Sequence, residues 1–330
     1  MPQVSVVITT HNRPHLLPRA VASARAGGKD VEVVVVDDAS TDETAEVCRE
    51  LTGILYVRVE RNQRVAGARN VGILASSGDY ITFLDDDDER LPGSLNAQLK
   101  VLESSPEVGL VYGQVLIRRQ DDATDGSFYP ETCPRGDIFW QLLERNFIPC
   151  GSVLFRRQCL TGVGLLDEAI PGVDDWDLWI RIAEIHEVAA LEEPVAVWRQ
   201  PTPHSGQGSS ATLDLIELGA RTLRQRWLAL PRAKAATQAR RREVWRRFSE
   251  NLSEHLVWET ACAITSGRLS RAGKSSLLAL RLHPRGMLGV ARKWARPSTL
   301  RALLKGARGQ GDIEETKMRF KQMRLSRSKQ

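Results

Sequence analysis

The sequence predicts an α/β fold, a mostly parallel sheet with helices on both faces, followed by a helical basic C-terminal region. Three observations predict it. Short apolar runs alternate with helical segments at the spacing of βαβ units. Two of those runs end in aspartates, Asp37-Asp38 and the four carboxylates 85–88, and ligands of open α/β sheets bind beyond the carboxyl ends of the strands. The charge also changes sign along the chain. Residues 1–210 hold 19 Lys+Arg against 32 Asp+Glu, a net −13, and residues 211–330 hold 27 against 9, a net +18. Two parts with different work are expected, 1–210 and 211–330.

The elements follow in order. Residues 4–9 (VSVVIT) are β-branched and apolar, a buried strand. Pro14 opens a helix that runs to about Arg25, and Gly27-Gly28 stops it. Residues 31–36 (VEVVVV) form a second strand, after which Ser40 or Thr41 caps a helix to about Leu51. A strand over 54–59, a helix over 67–75, the strand 80–84, a helix over 92–104 and a strand over 108–117 complete the regular pattern. Residues 119–134 are rich in Asp, Gly and Pro and read as a long loop. Beyond it come a helix over 138–145, a strand over 151–155, a helix over 175–183, and short strands at 189–191 and 195–198. Residues 200–210 (QPTPHSGQGSS) form a boundary loop. Apolar residues then keep helical spacing at 213, 216, 223 and 227 and at 245, 248, 252 and 256. Short helices are expected at 277–282 and 300–304, and the basic end 317–330 is expected to fray.

Composition excludes several classes. No run approaches about 18 uninterrupted apolar residues, so no spanning helix is expected, and the chain opens directly into a strand with no signal peptide. The five cysteines form no CxxC and read as reduced thiols of a cytoplasmic protein, not a disulfide frame or a zinc site.

The chemistry concentrates in three acidic places. Residues 80–90 read YITFLDDDDER, a strand running straight into four aspartates. Such charges repel, and a chain places them together where something positive sits. Hard oxygen donors of this kind suit Mg²⁺ or Mn²⁺; a solvated acidic loop is the plainer alternative. Asp37-Asp38 closes the second strand on the same sheet edge, where a carboxylate can accept from a base N–H or ribose hydroxyls, or else cap the next helix. Asp174, Asp175 and Asp177 open a helix, where acids either favour the helix dipole or supply a general base partly desolvated by Trp176.

These motifs together resemble the family 2 inverting glycosyltransferases of the GT-A fold. The matching residues are VSVVITTHNR at 4–13, VVVVDDASTDET at 33–44, GARNVGI at 67–73, GDYITFLDDDD at 78–88 and DDWDLWIR at 174–181. The likeness runs through about Arg199, and the number, order and spacing of the motifs carry it. The resemblance implies roles position by position. Thr9 and His11 flank the nucleotide base, Asp38 accepts from it with Asp37 in support, and Arg69 reaches base or phosphates. Asp85 and Asp86 face the ribose, Asp87 ligates Mn²⁺ or Mg²⁺, and Asp88 continues the turn. Asp175 is the catalytic base, with Asp174, Trp176 and Trp179 about the acceptor. Two departures stand out: Asp174 is often Glu in relatives, and the family's Arg-x-His is replaced by Arg199 with His204 displaced.

The implied reaction is metal-dependent inverting transfer from a nucleotide-diphosphate sugar, UDP by default, to a hydroxyl of a glycan or lipid-linked acceptor in cell-surface polysaccharide synthesis. The net +18 of residues 211–330 suits an anionic membrane surface, which would make the chain cytoplasmic and peripheral on that membrane. Packing helices with a solvated basic face are the alternative, and nucleic acid fits less well for want of aromatics or a reader motif. A non-catalytic sugar-nucleotide scaffold would lack Asp87 or Asp175. A Mg²⁺-binding receiver domain would need a lone aspartate and a lysine at strand ends that this sequence does not place there.

Overall fold

The computed structural model describes residues 3–118, 126–199, 212–265 and 267–284. His204, the expected helix over 300–304 and the basic end 317–330 lie outside these residues. Two compact units are found, Met1–Ala235 and Ala236–Gln330.

Among the described residues the first unit is built on nine strands. They are β1 (Val4–Thr10), β2 (Val31–Asp37), β3 (Leu55–Arg58), β4 (Tyr80–Asp85), β5 (Glu89–Arg90), β6 (Val108–Arg118), β7 (Phe128–Tyr129), β8 (Val153–Arg156) and β9 (Glu187–Arg199). Their order is β3-β2-β1-β4-β8-β6-β9-β5, with β7 beside β6. β1, β2, β3 and β4 pair in parallel, β8 runs antiparallel between β4 and β6, and β9 pairs parallel to β6. Among the described residues six strands therefore share one direction, and the short β5, β7 and β8 oppose it.

The valine-rich runs behave as strands buried on both faces do. Every residue of β1 is buried, as are Val33 to Asp37 of β2. Helices cover both faces: α1 (Leu17–Ala26), α2 (Thr44–Glu50), α3 (Arg64–Ala75), α4 (Ser94–Ser104), α5 (Phe139–Glu144), α6 (Cys159–Val163) and α7 (Asp174–Ile185). Leu17, Ala20, Val21 and Ala24 of α1 join Leu95, Leu99 and Leu102 of α4 over β1 and β2. On α3, Gly72 is required by contact: a Cβ there would lie 2.2 Å from Cγ1 of Val7. The helix consequently rests directly on β1 and β2, which fixes Arg69 one turn earlier.

Some boundaries differ from expectation, for local reasons. α1 begins at Leu17, since Arg13 to Leu16 form a turn closed by a Leu16 N–H to Arg13 O bond. α2 begins at Thr44, whose N–H and hydroxyl bind Asp42 Oδ1, so neither Ser40 nor Thr41 caps it. Pro92 lies in a turn with Gly93 at φ 73°, and α4 starts at Ser94. The two short strands near the end are one strand, β9, whose register against β6 shifts on the approach to Pro194, which has no N–H to give the ladder.

After β9 the same unit holds α8 (Thr212–Gln225), a 3-10 turn (Trp227–Ala229) and α9 (Pro231–Ala235). Trp227 is buried against Trp176, with ring centroids 4.7 Å apart, and its Nε1 donates to Asp177 at 2.7 Å. The first unit thus continues past residue 210. The second unit's described part is a helical pair, α10 (Gln238–Thr265) and α11 (Leu269–Leu282). Among the described residues no helix is long and apolar enough to cross a membrane. Cys48, Cys133, Cys150 and Cys159 are free thiols.

Candidate active site

Register sets the site. Thr10 stands opposite Asp37 across β1 and β2, and Thr9 stands opposite Asp85 across β1 and β4. The carboxyl ends of three parallel strands thus form one edge, and the loops leaving it carry most of the expected residues.

The turn after β2 is braced from below by Asp37. This side chain is fully buried. Its Oδ1 accepts from Ser40 N–H and its Oδ2 from the Tyr56 hydroxyl, both at 2.8 Å. Burial and two internal donors make Asp37 a brace for this turn, in keeping with the supporting part expected of it behind Asp38. The turn above it holds Ala39 at φ 61°, and the facing loop holds Asn12 at φ 55°. Asn12 ties the two loops, its N–H donating to Ser40 Oγ at 2.9 Å and its Oδ1 accepting from Thr41 N–H at 2.8 Å. His11 Nδ1 lies 2.8 Å from Asp38 O. Asp38 Oδ1 accepts from Gln63 N–H at 2.7 Å. Burial holds the Asp38 carboxyl above its ordinary range, against the pull of the Gln63 and Arg64 amides.

The acidic turn after β4 sorts its four carboxylates. Asp88 N–H donates to Asp85 O at 3.0 Å, closing the turn. One oxygen from each of Asp85, Asp87 and Asp88 lies within 4.8 Å of the others. Asp86 goes the other way. It is fully buried, its Oδ2 accepting from the Thr10 hydroxyl at 2.7 Å and its Oδ1 lying 2.8 Å from Arg13 Nη2. Asp86, expected at the ribose, thus faces Thr10 and Arg13, and Asp88 takes the third place in the cluster. Burial pushes the Asp86 carboxyl up to about 7, with Arg13 opposing. Burial and the neighbouring charges of Asp85 and Asp87 hold Asp88 well above the carboxylate range, while Arg199 N–H binds its Oδ1 at 2.9 Å. Burial and Asp85 likewise raise Asp87, which Arg13 meets at 3.2 Å. Three hard oxygens held this close, with Asp87 and Asp88 disfavoured as lone anions, fit a hard divalent cation.

The third acidic place joins the second through Arg69. This buried guanidinium donates from Nη2 to Asp85 Oδ1 at 2.8 Å and lies 3.4 Å from Asp174 Oδ2 through Nη1, above the ring of Phe83. Residues at the end of β4 and the start of α7, far apart in sequence, thus meet across one side chain from α3. Asp174 is buried and also accepts from Gly172 N–H at 2.8 Å, so it braces the α7 start. Asp175 beside it is partly exposed. Burial first, and then the Asp174 charge, push its carboxyl up to about 7 against the opposing charge of Arg69.

The two tryptophans expected about the acceptor lie in the core. Trp179 is fully buried, its ring 5.8 Å from Phe155 and 6.2 Å from Phe83. Trp176 is buried too, and its Nε1 donates to Leu142 O at 2.8 Å. Both rings belong to the apolar face of α7, inside the wall and not on its surface. A residue absent from the expectations is Cys150, in the 3-10 turn Cys150–Ser152 before β8. Burial holds its thiol well above the ordinary range, and the charges of Arg69, Asp175, Asp85 and Asp174 all act on it. Next to it, a Cβ on Gly151 would come 3.8 Å from Asp88 Oδ2. Nothing in the local sequence signals this proximity, which is tertiary.

A family model described as Glycosyl transferase family 2 matches residues 5–161. An uncharacterized glycosyltransferase of Nostoc sp. (strain PCC 7120) is 27% identical over 212 residues, 60% of this chain and 64% of that protein. The Campylobacter jejuni GalNAc(5)-diNAcBac-PP-undecaprenol beta-1,3-glucosyltransferase is 34% identical over 126 residues, 36% of this chain and 40% of that protein. The chain thus spans less than two thirds of the length of these relatives. Among solved structures, S. aureus TarS 1-349 in complex with UDP-GlcNAc aligns with a TM-score of 0.61 at 16% identity, covering 93% of this chain and 92% of that one. The mannosyltransferase PcManGT of Pyrobaculum calidifontis, in complex with GDP-Man and Mn²⁺, aligns with a TM-score of 0.55 at 19% identity, covering 93% and 82%. These likenesses identify the GT-A fold.

Proposed function

Since the chain belongs to glycosyl transferase family 2 through residues 5–161, we propose that it transfers a sugar from a nucleotide-diphosphate donor to an acceptor hydroxyl with inversion at the anomeric carbon. The observation that carries the reading is the Arg69 bridge between Asp85 and Asp174. It supports a single cleft in which the acidic turn, the α7 start and the loops around Asp38 act on one substrate.

In this reading Asp38, with His11 beside it, receives the base together with Thr9 on β1. Its carboxylate accepts a base N–H, and the left-handed turns at Asn12 and Ala39 keep it in place. Asp85, Asp87 and Asp88 would hold Mn²⁺ or Mg²⁺, which when bound neutralises diphosphate charge and favours the nucleotide as a leaving group. Arg69 fixes Asp85 and Asp174 relative to each other.

Asp175 is the general base. The acceptor oxygen attacks the anomeric carbon from the side opposite the diphosphate. The new C–O bond forms as the bond to the diphosphate oxygen breaks, and the acceptor proton passes to the Asp175 carboxylate. A carboxyl raised to about 7 suits this task, because a base is most effective when its pKa lies near the working pH. No covalent sugar–enzyme intermediate is involved. A UDP-sugar is the donor proposed first, and the acceptor is a glycan or lipid-linked hydroxyl of the kind used in cell-surface polysaccharide synthesis.

The test is nucleotide release from a panel of UDP-, GDP- and dTDP-sugars, with Mn²⁺ and with chelator. Release from one donor class in Mn²⁺ that chelator abolishes is the expected result. No binding of any nucleotide sugar by the intact chain would overturn the reading. Binding without release, even with acceptor extracts, would favour a non-catalytic scaffold.

A further inference from the structure

We propose that the outward face of α11 is a docking surface for an anionic lipid bilayer, lying in the interface without crossing it. The inference concerns the second unit and goes beyond the transferase reading; it stands whether or not the first unit moves a sugar.

α11 is apolar on two sides. One side packs on α10 through Ala272, Ser275, Leu278, Ala279 and Leu282, all buried. The Ser275 hydroxyl lies 2.8 Å from that of Thr260, and Arg271 pairs with Glu259 at 3.0 Å. The other side carries Leu269, Leu277 and Leu280, which are 71%, 51% and 49% exposed. With Gly273 these positions fall at i, i+4, i+8 and i+11, one stripe of a helix. A Cβ built on Gly273 meets nothing within 4 Å, so no described element covers the stripe there. Lys274 and Arg281, both exposed, flank it on one side. Ile264, 56% exposed, precedes the turn into the helix.

Three occupants compete for such a face, and charge chooses between them. A second copy docked through the same stripe would bring two basic rims together. The chain's own continuation, residues 285–330, holds 13 Lys+Arg against 3 Asp+Glu and would meet the rim with the same sign. An anionic bilayer takes leucines into the acyl boundary and lysine and arginine among its phosphates, and a basic continuation of the chain adds to that attraction. The arrangement therefore fits a lipid surface and opposes the other two.

The experiment is cosedimentation of the full chain with vesicles of phosphatidylcholine alone or mixed with phosphatidylglycerol. Binding to the mixed vesicles should exceed binding to neutral ones by roughly tenfold or more, and salt should weaken it. The pair Leu277→Glu and Leu280→Glu should bring binding down to the neutral level, with helicity checked by circular dichroism. If that pair unfolds, Lys274→Glu with Arg281→Glu, both at exposed positions, decides by the same loss. Wild-type binding by either folded variant would overturn the proposal. So would a wild-type dimer in analytical ultracentrifugation that the leucine pair dissociates while vesicle binding is unchanged.

Discussion

Asp175 is where the proposed chemistry is most exposed to test. Its carboxyl lies near 7, and a general base works only when ionised, so turnover should rise with pH, pass half-maximum at about 7 and level off above. A flat profile between pH 5 and 8 would remove it from that role. The acidic turn gives a second test. Asp88→Asn should weaken Mn²⁺-dependent donor binding about as strongly as Asp87→Ala, whereas Asp86→Asn should act mainly on stability by loosening the Thr10 and Arg13 contacts. Titration calorimetry with Mn²⁺ and donor separates them. The placement of Asp38 and Asp87 just past strand ends was legible because motif and strand end coincide, and that of Asp175 at a helix start because acids there precede an apolar stripe. The burial of Asp86 and the approach of Asp88 to Asp85 and Asp87 were not, because they depend on how the turn after β4 rotates successive side chains. The burial of Trp176 and Trp179 was legible in principle: they share the 3.6-residue stripe with Ile180 and Ala183, and that stripe is the core face of α7.

At the scale of elements, α3 sets the site by how low it sits. Gly72→Ala adds a methyl that would overlap Val7. The helix-propensity gain of roughly 1 kcal/mol does not offset overpacking of about 1–3 kcal/mol. The variant should melt several degrees lower, and lifting α3 should slow turnover by disturbing Arg69. An unchanged melting temperature would mean that α3 is free to shift. The parallel strands were readable from uniform apolar runs, since a strand buried on both faces needs nothing else. β5 and β7 were not, because two-residue strands carry no period. Nor was the continuity of β9, since Pro194 and the flanking Glu192-Glu193 read as a break while the ladder merely shifts register around it. The packing of Trp227 on Trp176 was hidden too, because helical spacing tells which residues are buried and not what they meet.

Across the whole first unit, the sheet edge gathers carboxylates whose pKa values are raised in the folded state, Asp86 and Asp175 to about 7. In the unfolded chain such groups titrate near 3.9. Their contribution to stability is therefore full below about 4 and is lost as pH rises through about 7. Mn²⁺ should reverse that loss at the acidic turn, so the rise in melting temperature on adding Mn²⁺ should be larger at pH 8 than at pH 5. An equal rise at both would deny the coupling. The charge asymmetry between residues 1–210 and 211–330 was readable from counts alone, whereas which helix face would meet a partner needed the packing of α11 on α10. The central claim is that the α7 start and the acidic turn serve one reaction, and Asp175→Asn addresses it most directly. Measured side by side, donor affinity in Mn²⁺ should stay near the wild-type value while sugar transfer falls by about 100-fold or more. Transfer at the wild-type rate, or donor binding lost in step with it, would contradict the account.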